Sequence, residues 1–342
     1  MSKKVLITGG AGFVGHMAIK EILDSTDWEI LANDRLSYAG NLTRIDEIYK
    51  EKGESSHQRL KFVYHDLKAP LPADLIKKIE DVNYIIHIGA STHVTKSIEN
   101  PRVFIEDNIV GTFNLLEASR QLDNLELFYY FSTDEVFGPA SNNERFKEWA
   151  RYNSKNPYSA TKAAAEELTI AYANTYRFPS LISHCSNVYG ERQHHEKFIP
   201  NTINKILSNE EIIVHTDSEN VPGTRYYTYN EDLAKTILFL VKNYEKVKEK
   251  SYQDSKIDIP KVNISGASLV SNLEIVELIG KHLKKDFNYK LMADDPTRPG
   301  HDVSYGLDTS LLESLGGVFD RKFEDGLSKT IDGFIKNPEW LS

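Results

Sequence analysis

The chain has almost no cysteine and no long apolar run. Its single thiol, Cys185, cannot close an intramolecular disulfide, which points to a reducing, cytoplasmic compartment. "MSKKVLITGG" moves into an apolar stretch too short for a signal peptide or a spanning helix, and no later run reaches membrane length. No membrane is expected as a partner. A surplus of positive charge is missing too: Lys and Arg number 41 against 50 Asp and Glu, a net charge of −9. With no basic stripe to offset it, that balance argues against a nucleic-acid-binding surface. Metal-ligand spacing is also absent. His194 and His195 have neither an i, i+4 partner nor a nearby thiolate, so no metal is expected. Internal repeats, low-complexity tracts and linker runs are lacking, so the 342 residues read as two intimately joined lobes or one large α/β unit.

What the chain does have is alternation. "KVLIT", "WEILAND", "LKFVYH", "NYIIHI", "LELFYYF" and "SLISHC" read as strands. Between them lie helical patterns at Phe13 to Ser25, Asn41 to Lys50, Leu71 to Ile79, Pro101 to Gln121 and Tyr158 to Arg177. Apolar strands separated by helices imply a parallel sheet covered on both faces, with ligands beyond the carboxyl ends of the strands. After about Ser186 the pattern loosens into a smaller lobe. It holds one long helix from Glu231 to about Glu249, a charged helix end and loop over Lys242 to Lys256, and a helix from Asn272 to Lys284. "PTRPGHD", residues 296–302, reads as a loop.

"VLITGGAGFVGHMAIKEIL" places Gly9, Gly10, Gly12 and Gly15 between the first strand and the first helix. Glycines there permit a tight turn and close approach of a pyrophosphate to the positive helix end. Asp34 ends the second strand about 20 residues on, where a carboxylate binds the ribose hydroxyls and repels a 2′-phosphate. That favours NAD over NADP, although Arg35 next door is a cation that could accept the phosphate.

"NPYSATKAAAEEL" puts Tyr158 and Lys162 one helical turn apart, with Asn156 as cap and Pro157 in the first turn. A nearby ammonium would favour the phenolate and make Tyr158 a base. In "FYYFSTDEVFGP", Ser132 or Thr133 followed by Asp134 and Glu135 is a good helix start, but Gly138-Pro139 limits it to about one turn. In a strand the two acids would face opposite ways; one helical turn could aim both into a cleft. Cys185 ends a buried strand and reads as packing rather than as a nucleophile.

Gly9, Gly12 and Gly15 together with Tyr158-x-x-x-Lys162 resemble the extended short-chain dehydrogenase/reductase superfamily. "STHVTKSIENP", "NIVGTFNLLEA", "STDEVFG", "NPYSATKAAAE", "SNVYG", "EKFIP", "TRYYTYNEDLA" and "RPGHD" resemble the nucleotide-sugar 4,6-dehydratases, most closely the dTDP-glucose enzymes, over nearly the whole chain. The resemblance implies a Rossmann-like doubly wound parallel sheet with a smaller C-terminal lobe. Residues 1–186 would bind NAD, a segment near 225–245 would return to that domain, and 187–342 would mainly hold a sugar nucleotide. It implies that Tyr158 takes the 4-hydroxyl proton while NAD takes hydride from C4. Thr133 would hydrogen-bond that oxygen, and Lys162 would hold the nicotinamide ribose. Glu135 would remove the C5 hydrogen, protonated Asp134 would donate to the leaving 6-hydroxyl, and the hydride would return to C6.

The same resemblance assigns Gly9, Gly12, Phe13, Val14, Gly15, Asp34, Ser37, Asp66, Leu67, Ala90 and Thr92, with Tyr158 and Lys162, to the cofactor, Asp66 and Leu67 flanking the adenine. Asn108 would lie nearby. His93, Thr133, Asn187, Glu196, Lys197, Arg225, Asn272, His301 and Tyr305 would hold the sugar nucleotide. Relatives form dimers through two long helices, here Pro101 to Gln121 and Tyr158 to Arg177, so a homodimer is implied. Gly89, Ser91, Thr95, Lys96, Phe137 and Tyr226 depart from the family's usual residues. They leave the nucleotide open between dTDP-glucose and UDP-glucose or UDP-N-acetylglucosamine. A UDP-sugar 4-epimerase or decarboxylase shares the tyrosine, lysine and glycines but usually lacks the Asp-Glu pair. A non-catalytic NAD-binding scaffold would have lost catalytic residues that are all present here.

Overall fold

The computed structural model describes residues 2–140, 144–293, 306–317 and 321–341. The six strands expected from the sequence are β1 (Lys4–Thr8), β2 (Glu29–Asp34), β3 (Leu60–Tyr64), β4 (Tyr84–His87), β5 (Leu127–Thr133) and β6 (Ser180–Cys185). Then come β7 (Asn187–Tyr189), β8 (Ile212–Thr216), β9 (Thr224–Tyr229), β10 (Lys261–Ile264), β11 (Leu269–Ser271) and β12 (Tyr289–Ala293). Seven of them form one sheet in the order β10-β6-β5-β4-β1-β2-β3, with every neighbouring pair parallel. Alternate residues feed opposite apolar clusters: Val5, Ile7 and Tyr129 on one face, Leu6, Phe128 and Tyr130 on the other. Both faces are therefore dry, which is why the strands read as unbroken apolar runs.

The chain leaves β1 outward to β2 and β3, then returns to β4 on the other side of β1. That reversal opens the crevice in which doubly wound sheets hold ligands. Helix Asn230–Lys242 packs on helix Phe13–Ser25 through Leu233 and Ile237. β10, a run of only four residues inside the segment read as the second lobe, extends the first sheet by pairing with β6. The remaining strands build the lobe: a sheet ordered β11-β9-β7 and a parallel β8–β12 pair, around a core that includes Tyr189, Ile203, Ile275 and Phe334.

Two helix readings change. The stretch from Glu231 to Glu249 is two helices, Asn230–Lys242 and Tyr244–Ser255. Asn243 leaves helical geometry (φ −113°, ψ 24°), and its Nδ2 donates to the Phe239 carbonyl at 2.8 Å, closing the first helix. The charged segment Lys242 to Lys256, expected as a helix end and loop, is mostly the second helix, anchored by buried Val247 and Ser251. The Pro101 to Gln121 helix contains a π segment, Ile105–Val110, between Pro101–Phe104 and Gly111–Ser119. Such wide turns gather at functional sites, and this one carries Asp107 and Asn108. The 296–302 loop, His301 and Tyr305 lie outside the described residues.

Candidate active site

Gly9 leaves β1 with φ +70°, a left-handed backbone open to glycine, and a Cβ there would come within 2.8 Å of the Gly89 Cα. The ends of β1 and β4 thus touch at the switch point. Helix Phe13–Ser25 starts with Gly12 as its N-cap, no side-chain cap and no acid in its first turn, so its terminal N–H groups are left for an anionic ligand. Asp34 Oδ1 accepts from Leu36 N at 2.8 Å and Oδ2 from Ala11 N at 3.1 Å, fixing the carboxylate beside the glycine loop. Burial raises its pKa against these bonds. Every residue assigned to the cofactor on the sequence lines a single cavity here, as do Arg35, Glu196 and Lys197.

β5 delivers the acid pair. Thr133 ends the strand, and residues Asp134–Phe137 make one 3-10 turn that Gly138 stops at φ +78°. Thr133 Oγ1 accepts from Glu135 N at 3.3 Å and donates to Asp134 Oδ1 at 3.1 Å, and the same hydroxyl works to lower the Tyr158 pKa. The helix-start and catalytic readings of this stretch therefore coincide in one hydroxyl. Asp134 is 4% exposed; burial, then the charge of Glu135, push its pKa up to about 7. Glu135 is half-buried and accepts from Asn156 Nδ2 at 3.0 Å, a bond that favours a charged acceptor.

Asn156 also caps helix Pro157–Tyr176, accepting from Ser159 N at 2.9 Å. One side chain therefore links the acid turn to the helix bearing Tyr158 and Lys162. The sequence identifies Asn156 only as a cap, because its second contact lies 21 residues away.

Tyr158 does not match the expectation of a ready phenolate. Burial raises its pKa, as do the charges of Glu135 and Asp134. Lys162 Nζ donates to the Phe131 carbonyl at 2.7 Å and sits 4.3 Å over the Tyr130 ring. Its own pKa falls to about 7 through burial. Behind the turn, Phe137 meets His184 edge-on at 4.7 Å. His184 and Lys261 of β10 share the fully buried Glu166, one turn beyond Lys162, with Tyr152. This paired cluster makes a rigid backing for the turn.

The sugar-nucleotide residues are less gathered. Glu196 and Lys197 line the cavity; His93 lies 3.8 Å from Glu196. Arg225 on β9 is buried and its charge acts on Asp134. Asn187 begins β7 and Asn272 begins helix Asn272–Leu283, and neither lines the cavity. The ligand atoms of His194, His195 and Glu196 lie within 4.8 Å of one another. The Lys96 ammonium holds both Glu196 oxygens at 2.9 and 3.0 Å. Cys185 is buried, and its thiol pKa is raised chiefly by that burial, in keeping with packing. Arg35 is engaged by Asp107, and Asn108 bonds the Ser91 backbone through both ends of its amide.

A parallel sheet with a glycine turn at its switch point, a terminal β2 aspartate and a Tyr-Lys helix beside the cleft defines an extended short-chain dehydrogenase/reductase. Residues 6–330 match the family described as GDP-mannose 4,6 dehydratase, and the chain belongs to that family. It is 32% identical to a dTDP-glucose 4,6-dehydratase of Escherichia coli, over 98% of this chain and 95% of that one. It is 33% identical to a trifunctional UDP-glucose 4,6-dehydratase/epimerase/reductase of Arabidopsis thaliana, over 99% of this chain and 48% of that protein. The structure of a Streptomyces venezuelae dTDP-glucose 4,6-dehydratase with NAD and TYD bound superposes with a TM-score of 0.85 at 27% identity, covering 99% of each chain.

Proposed function

We propose that the protein is an NAD-dependent nucleotide-sugar 4,6-dehydratase, a lyase that converts a nucleotide-linked glucose, dTDP-glucose first, to its 4-keto-6-deoxy form. The observation that carries this reading is the acid turn: a buried Asp134 with its pKa near 7 beside a half-buried Glu135 that accepts from Asn156. Elimination of water needs one carboxyl protonated and its neighbour charged at the same pH, and different surroundings are how paired carboxyls divide those roles. The glycine loop, the uncapped helix start and Asp34 suit a dinucleotide. When bound, NAD supplies a place to hold a hydride between C4 and C6.

The chain's own groups do the proton work. Tyr158 takes the 4-hydroxyl proton, with Thr133 on the same oxygen. Burial first, and then the charges of Glu135 and Asp134, hold the Tyr158 phenol up. A proton on Asp134 removes one of them, so arming the acid also eases the tyrosine's task. The 4-ketone acidifies the C5 hydrogen, Glu135 removes it, and Asp134 delivers its proton to the departing 6-hydroxyl. Arg225, buried near Asp134, offers a bidentate fork for the diphosphate. A 4-epimerase or decarboxylase loses no water and has no use for this pair.

We also read the protein as a cytoplasmic homodimer, in line with its single cysteine. Exposed Ile105, Val110 and Phe113 on one long helical segment and Tyr176 on helix Pro157–Tyr176 provide an apolar face for that pairing. The test is dTDP-glucose deuterated at C4. The expected product is lighter by one water and carries the label at C6. An unchanged mass with every nucleotide-linked hexose, or a dehydrated product without the label, would refute the reading.

A further inference from the structure

Arg35 follows the ribose-binding Asp34, where a guanidinium can accept a 2′-phosphate. It is not disposed to do so. Its two terminal nitrogens, Nη1 and Nη2, each lie 2.5 Å from one oxygen of Asp107, a fork-to-fork pair. Nη1 is also 3.6 Å from Asp66. The Asp107 side chain is 4% exposed and is oriented from behind by the Ser91 hydroxyl, which donates to Oδ2 at 2.5 Å. The π segment turns this side chain toward the cavity that Arg35, Asp66 and Asp107 all line.

The charges at this end are Asp34, Asp66 and Asp107 against Arg35, Lys68 and Arg44, the last donating to the Ala11, Ala39 and Arg192 carbonyls. Lys68 is itself 3.5 Å from Asp66 and 4.0 Å from Asp107. A phosphate would have to compete for each of these cations with a carboxylate or carbonyl that already holds it.

We propose that Asp107 is a specificity-determining residue: by clamping Arg35 it ties up the cation that follows the ribose-binding Asp34 and makes the enzyme reject NADP. This rests on the dinucleotide reading of the cavity. Asp34 repels the phosphate directly, and Asp107 disarms the residue that would otherwise welcome it. The two act from different elements, the end of β2 and the π segment.

The experiment measures the concentrations of NAD⁺ and NADP⁺ that half-saturate the purified full chain by displacing its bound dinucleotide. It compares the NADP:NAD ratio across wild type, D107N, R35M and the double variant. D107N should lower the ratio about tenfold, the worth of one charge-assisted contact. R35M should leave the wild-type ratio within about twofold, because the clamped guanidinium already gives nothing to NADP; in the D107N background it should cancel the gain.

A D107N ratio unchanged from wild type would overturn the proposal. So would an R35M ratio that rises fivefold or so above wild type, since Arg35 would then be serving NADP already. Arg35 is 23% exposed, so R35M decides the matter alone should D107N fail to fold. A chain that holds neither dinucleotide would sink the dinucleotide reading, whereas NAD binding with an unmoved D107N ratio sinks only the clamp.

Discussion

Asp134→Asn should make the protein more stable and less active, by an amount that depends on pH in a defined way. Burial and the charge of Glu135 hold the folded-state pKa near 7, against 3.8 for a free aspartate. Between those values the folded state binds a proton that the unfolded chain does not. Wild-type stability therefore falls as pH rises from about 4 to about 7 and is flat above, at about 1.4 kcal/mol per unit and roughly 4 kcal/mol in total. Asparagine keeps the shape and can still accept from Thr133, but it never ionises.

The stability gap between variant and wild type should therefore open across that window and plateau. At pH 8 it should reach roughly 5–10 °C in melting temperature. Thermal melts at half-unit steps from pH 5 to 8.5 measure it. Activity supplies the second arm: single-turnover traces should show loss of water slowed about a hundredfold or more, with the first oxidation affected less. A gap that stays constant with pH, or a D134N protein less stable than wild type at pH 8, would refute the claim that a buried carboxyl near pH 7 is the acid. So would equal slowing of both steps.

Asn156→Ala removes the donor to Glu135 and the cap together. It should cost about 1 kcal/mol of stability and slow C5–H exchange from the 4-keto intermediate, which exchange of that hydrogen with solvent deuterium would report; unchanged exchange would detach Asn156 from the base. Gly15→Ala would place a Cβ 2.1 Å from the Gly9 carbonyl oxygen. That backbone overlap should abolish dinucleotide retention during purification, and a variant that keeps its cofactor would show that the turn yields. Cys185, buried with its thiol raised in pKa, should react with a thiol reagent only after denaturant is added; fast labelling of the native protein would contradict its packing role.

Why some of this was legible in the sequence and some was not comes down to how far apart the interacting residues lie. The first six strands of the parallel sheet are apolar on both faces, so each announced itself over five to seven residues. The glycine turn with Asp34, and Tyr158 with Lys162, are fixed by spacing within one βαβ unit or one helical turn. Asp134 and Glu135 could be assigned to a single turn because Gly138 follows at once. β10 escaped because "KVNI" has no length and its partner, β6, lies some 80 residues earlier. The π segment escaped because its residues keep a good helical pattern.

The electrostatics were the least legible. Arg35 looked like a free cation beside Asp34, since its partner Asp107 is 72 residues on. Tyr158 looked like a phenol beside an ammonium, yet the charges that reach it come from the acid turn. In both cases the residue's neighbour in sequence suggested one chemistry and its neighbour in space supplies another. A family motif identifies the groups that can react; which of them are charged is decided by partners on other elements. That is why Asp107 and Asn156, neither of which is a reacting group, are the positions where substitutions should change cofactor choice and proton transfer.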